Sequence, residues 1–209
     1  MTVEKAMPEL RQRQTELTAL LRERASIYPD VPGRCYSSIE ALLLEQGRWF
    51  TPADLPDGAE RGPERRCYAN ASLHSEVHGL IYVEGFALAA SRLHTAHAWC
   101  TRPDGTVEDP TWGGDGLAYL GIPFTPTYLL EHEADAGAYA VLFDQHRTGW
   151  QLLTRGLPEH ALAPVGLPLR LASLARQRPI KASCRCSSSS ATKSSVRHGR
   201  SACRTRRTR

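Results

Sequence analysis

The chain lacks any apolar run near the roughly 18 residues that a membrane-spanning helix needs, so no transmembrane segment is expected. Its first residues are polar and charged from Glu4 onward, without the apolar centre of a signal peptide. Cysteine is sparse: six are scattered through 209 residues, with no Cys-x-x-Cys pair. That excludes a disulfide framework and makes a reducing cytoplasm the expected location. Cys67, His97 and Cys100 occur without a second spaced pair, so they form no zinc motif, and no metal or cofactor is expected. The Gly113-Gly114-Asp115-Gly116 turn lacks the lysine and following helix of a phosphate loop.

Acidic residues are missing from the last forty positions. Residues 1–169 hold all 22 acids and fourteen of the 26 bases, while the remaining twelve bases fall at 170–209. A formal net charge of +4 therefore conceals an acidic body and a strongly basic Ser/Arg-rich tail. Such a segment cannot bury a core and is expected to be disordered. It reads as an arm for nucleic acid or an acidic partner, as a solubilising or targeting tail, or as unselected sequence beyond a frameshift. Its abrupt bias without periodicity favours the last reading, and it lacks the interleaved aromatics of a single-strand binder.

What is present is a body long enough for one medium domain. Leu10, Leu17, Leu20 and Leu21 recur at helical spacing and predict a helix over 3–27. Pro29, Pro32 and Gly33 break the chain, and a second helix is expected from Ser38 to Gln46. A Pro- and Gly-rich loop over 51–63 leads to a helix through residue 77, with Cys67 in its first turn. Leu80–Leu88 reads as a central strand, in which Glu84 needs a partner and Gly85 marks a bulge or a close backbone approach. Thr125 or Thr127 caps a helix to Ala134, and Tyr139–Phe143 reads as a further strand. The domains so divided are a helix at 1–30, a body at 34–168 and the tail at 170–209.

The chemistry lies in three stretches in chain order: Arg66-Cys67-Tyr68-Ala69-Asn70, His97-Ala98-Trp99 and Val107-Glu108-Asp109-Pro110-Thr111-Trp112. A cysteine, a histidine and an aspartate within 43 residues are the side chains of a thiol enzyme. Cys67 at a helix start, beside Arg65 and Arg66, is placed to ionise. The Asp104-Gly105 pair between strand-like runs predicts a hairpin, which folds Asp109 back beside His97. For an oxyanion, the Cys67 backbone N–H is one donor, and Gln46 and Asn70 are side-chain candidates. Glu84 reads as a structural or substrate-contacting carboxylate, and Trp99 as a neighbour sharing the strand face of His97.

These motifs, with Tyr82–Ala87 and Tyr119–Phe124, resemble the papain-like and transglutaminase-like thiol superfamily. They are most similar to small bacterial and phage proteins carrying His-Ala-Trp and Asp-Pro-Thr-Trp motifs. The resemblance covers roughly residues 34–150. It implies an α+β fold, with a nucleophile helix packed on a small antiparallel sheet and N-terminal helices before it. It implies a nucleophile at Cys67, a base at His97 and an orienting carboxylate at Asp109. The expected activity is hydrolysis or acyl transfer on a protein, peptide or small amide. The alternative is a catalytically inactive interaction protein on the same fold, phage- or mobile-element-encoded, whose basic tail contacts nucleic acid.

If the tail carries no core, truncation at about residue 168 is expected to leave the thermal midpoint nearly unchanged. A differential-scanning comparison that shows a fall of many degrees refutes this.

Overall fold

The computed structural model describes residues 3–136 and 140–169. The tail expected at 170–209 lies outside the described residues. Helix α1 (Val3–Ile27) and helix α2 (Ile39–Gln46) precede strand β1 (Arg48–Phe50). A long loop leads to α3 (Cys67–His78), which is followed by β2 (Ile81–Ala89), β3 (His94–Thr101), β4 (Val107–Glu108) and β5 (Gly116–Pro123). Helices α4 (Pro126–Ala136) and α5 (Gln151–Arg155) and strand β6 (Leu167–Pro168) complete the fold. This is an α+β architecture, with α3 packed on a six-stranded antiparallel sheet that curls into a half-barrel.

Local signals explain the first elements. Leu17 and Leu21 of α1 are fully buried against the sheet, as their spacing requires. Ser38 caps α2 by accepting the Ala41 N–H at 3.2 Å. Gly79 ends α3 in the left-handed conformation, φ +64°.

The sheet order is β4-β3-β2-β5-β1-β6. Strand β2 is central and buried on both faces, which is why its sequence is apolar throughout rather than alternating. Its even positions, Tyr82, Phe86 and Leu88, join the core beneath the helices. Its odd positions, Val83 and Ala87, join a second cluster with Phe50, Trp99, Val107 and Tyr119. Gly85 sits where β5 comes closest, and a Cβ there would collide with the Leu120 carbonyl. Close approach is thus its role; the register irregularity falls at Leu88/Ala89 instead. Past β1, Thr51 pairs with Thr106, just ahead of β4. Those strands stand at opposite sides of β3, β2 and β5, so only a curled sheet brings them together.

Two sequence expectations need correction. Tyr139–Phe143 forms no strand among the described residues: positions 141–143 lie in a turn. The N–H groups of Val141 and Leu142 donate to Glu84 instead, at 2.6 and 2.8 Å. The body also extends past residue 168. Strand β6 pairs with β1, and Leu169 is buried and donates its N–H to Gly47 at 3.0 Å, so a tail truncation has to retain Leu169. No described helix is long and apolar enough to cross a membrane.

Glu84 pins the turn at 141–142 to the sheet centre. It is 0 % exposed and also accepts the Tyr82 hydroxyl at 2.8 Å. Burial raises its pKa to about 7, against the lowering effect of those three donors. Glu84→Ala takes the acceptor from two buried N–H groups and removes one bond from the Tyr82 hydroxyl, so urea unfolding is expected to show a loss of about 3 kcal/mol or more. A loss below about 1 kcal/mol would mean that the turn is held by other contacts.

Candidate active site

Three elements place the site. Strand β3 carries His97 opposite Gly85 of β2, on the same face as Trp99. Strand β4 pairs Glu108 with Cys100 and then ends, so Asp109 emerges beside β3, two residues from His97 in register. Helix α3 begins at Cys67.

His97 Nε2 donates to Asp109 Oδ2 at 2.8 Å, with both side chains buried. Cys67, at the start of α3, lies near enough to the His97 ring to raise its pKa. With Nε2 committed to Asp109, the nitrogen left for the thiol is Nδ1. A hydrogen bond thus joins His97 and Asp109, and Cys67 acts electrostatically on the same imidazole.

Asp109 is held from every side. Its Oδ1 accepts the backbone N–H groups of Thr111 and Trp112, at 2.8 and 3.0 Å, and the Tyr119 hydroxyl reaches Oδ2 at 2.9 Å. The Trp112 ring stacks on His97, with centroids 3.8 Å apart and planes 15° from parallel. Its indole covers one side of the imidazole and limits water there.

The electrostatics follow from these contacts. Burial alone would lower the pKa of His97, but the hydrogen bond and charge of Asp109, with a further contribution from Cys67, outweigh it and raise the value to about 9. Burial would raise that of Asp109, but the His97 contact and the Trp112 and Thr111 N–H groups bring it below the usual range. Opposite shifts on the two partners describe an imidazolium held by a carboxylate.

The start of α3 adds positive potential at Cys67. The first helical bond runs from the Asn70 N–H to the Arg66 carbonyl, so the N–H groups of Cys67, Tyr68 and Ala69 have no intrahelical acceptor. Arg66 supplies no side-chain cap, and the first turn holds no acidic residue. Arg65 before it adopts a left-handed backbone, φ +61°. The open helix end favours an anion at the sulfur and in front of it.

The remaining sequence candidates lie elsewhere in function. Asn70 spends its amide on the Pro63 carbonyl and on Thr111 Oγ1, both at 2.9 Å. It ties α3 to the turn after Asp109 rather than facing an oxyanion. Gln46 directs its amide to the Tyr36 hydroxyl and Glu45, at 3.3 and 3.2 Å. Glu84 lies on the opposite sheet face from His97 and is closed to a substrate by its three donors. Trp99 is fully buried between Phe50 and Tyr119, under the site rather than in it. No group of three or more His, Cys, Asp or Glu suited to a metal ion occurs among the described residues. Tyr119 and Thr111 were missed. For Thr111 a signal existed, since an Asp followed by Pro-Thr-Trp invites its own side chain to accept nearby N–H groups. For Tyr119 there was none beyond its place in a motif.

His97 has a folded pKa above its ordinary value of 6.5. Its contact with Asp109 thus stabilises the fold fully below about pH 6.5, and that contribution is lost as pH rises through 9. Asp109→Asn removes the counter-charge. NMR titration of the His97 ring is then expected to show a fall of roughly one to three units, and the loss of stability between pH 6.5 and 9 should flatten. An unmoved titration near 9 would rule out Asp109 as its cause.

Compared with known protein families, curated proteins and solved structures, the chain matches none, so its function is read from the arrangement of Cys67, His97 and Asp109 themselves.

Proposed function

We propose that the protein is a cysteine hydrolase or acyl transferase acting on an amide or acyl bond, on a papain/transglutaminase-like fold. The observation that carries this reading is the buried His97 ring, hydrogen-bonded to Asp109 and under the electrostatic influence of Cys67 at the start of α3. A raised His97 pKa favours transfer of the thiol proton to the ring, leaving a thiolate beside an imidazolium.

The thiolate attacks the substrate carbonyl carbon, a C–S bond forms, and the carbonyl π pair moves to oxygen. The backbone N–H of Cys67 and the open end of α3 stabilise that oxyanion. The imidazolium returns its proton to the leaving amine as the C–N bond breaks, which leaves a thioester. Water or a second amine then attacks the thioester while His97 takes its proton, and the thiolate departs. Asp109 keeps Nε2 protonated and the ring oriented throughout, and gains no proton itself. Papain-like order also supports the reading: the cysteine opens a helix, the histidine follows on a strand and the aspartate comes directly after the neighbouring strand. The inactive-scaffold reading has no observation of its own in its favour.

At pH 6 an ordinary thiol is almost wholly protonated. Iodoacetamide is therefore expected to modify Cys67 well ahead of the other five cysteines at that pH, as located by peptide mass spectrometry. His97→Ala should slow this reaction about tenfold or more by removing the proton acceptor. Cys67→Ala should abolish turnover of any responding amide or ester, and Asp109→Asn should reduce it less completely. Equal labelling of all six thiols, unaffected by His97→Ala, would establish the scaffold reading instead.

A further inference from the structure

Asp109 Oδ2 carries two donors at once, His97 Nε2 at 2.8 Å and the Tyr119 hydroxyl at 2.9 Å. With Thr111 and Trp112 on Oδ1, four bonds occupy this buried carboxylate. Three of the donors are local to the site's own hairpin. The fourth comes from β5, which reaches β3 only across β2.

The fold makes room for that reach. Tyr119 stands opposite Ala87 on β2 and Phe50 on β1. Three residues earlier, Gly116 opens β5, and a Cβ there would overlap the Tyr119 hydroxyl and the ring edge beside it. Any other residue at 116 would displace the phenol from its present place. Tyr119 also remains a donor at every working pH, because burial and the Asp109 charge push its pKa well above 10.

We infer that Tyr119 is a positioning residue for the Cys67–His97 pair, acting through Asp109: its hydroxyl fixes the carboxylate and limits how strongly that carboxylate draws the imidazole proton. The inference rests on the thiol-enzyme reading above and adds a residue that sets the pair's working pH. A carboxylate oxygen shared between two donors is a weaker base than one serving a single donor. Without the phenol, Asp109 pulls harder on the His97 proton. The imidazolium then survives to higher pH, and the ring returns its proton to a leaving group less readily.

The test uses the full chain as wild type, Tyr119→Phe, Gly116→Ala and His97→Ala, each checked by circular dichroism. Two readouts are taken: the His97 ring titration by NMR, and the pH dependence of Cys67 alkylation by iodoacetamide. Tyr119→Phe is expected to raise the His97 titration by about one unit, the effect of one charge-assisted hydrogen bond. The alkylation profile should move with it. Gly116→Ala should reproduce the shift while the phenol is still present in the sequence, and it carries the test alone if Tyr119→Phe does not fold. Lower stability with both pH profiles unmoved would overturn the inference and leave Tyr119 as a packing residue. If wild-type Cys67 labels no faster than the other thiols and His97→Ala changes nothing, the thiol-enzyme reading falls and takes the inference with it. The two failures are thus separable in one data set.

Discussion

A carboxylate sealed from water must find a donor for each of its oxygens or surrender its charge. Much of this molecule is arranged around meeting that demand at Asp109. The β3–β4 hairpin brings it beside His97, and β4 stops after two residues, so the chain turns and presents the Thr111 and Trp112 N–H groups. Strand β5 supplies Tyr119 from across the sheet. Asn70 links α3 to the same turn through Thr111, which ties the helix that begins at Cys67 to the surroundings of Asp109. Loss of the Asp109 charge would leave a buried imidazole with little to offset the cost of holding a proton.

Glu84 meets the same demand on the opposite face of β2, and meets it differently. Its donors are a neighbouring phenol and two N–H groups of a turn distant in sequence, and no cation is among them. Burial therefore wins, and its pKa goes up where that of Asp109 goes down. The contrast separates their roles: paired with imidazole, a buried carboxylate does electrostatic work on a neighbour; paired with backbone, it fastens a segment.

The helical spacing of Leu17 and Leu21, the Ser38 cap and the Asp104-Gly105 hairpin were all legible, because each is a local signal. The meeting of His97 and Asp109 was legible for the same reason, since a hairpin converts a spacing of twelve residues into a contact. The expected strand at 139–143 failed because its apolar residues serve a turn that Glu84 captures, a contact 57 residues long. Gln46 and Asn70 looked like oxyanion donors by residue type, yet each amide is taken by partners that spacing does not reveal. Tyr119 was invisible for a related reason: its value depends on sheet order, which alternation alone does not supply. The papain/transglutaminase-like assignment of the fold remains a proposal, resting on the order of the three residues.

The loop between Thr51 and Gly62 is fastened at both ends. Thr51 is clamped to the β3–β4 hairpin by bonds with Gly105 and Val107, and the Gly62 N–H binds the Pro110 carbonyl at 2.7 Å. Between the clamps, Asp54 and Arg61 lie against the Gly113–Gly114 turn that follows Asp109. Doubling the length of such a loop costs only about 0.6 kcal/mol in closure entropy. Insertions there would alter the surface beside that turn while leaving the hydrogen bonds around Asp109 in place.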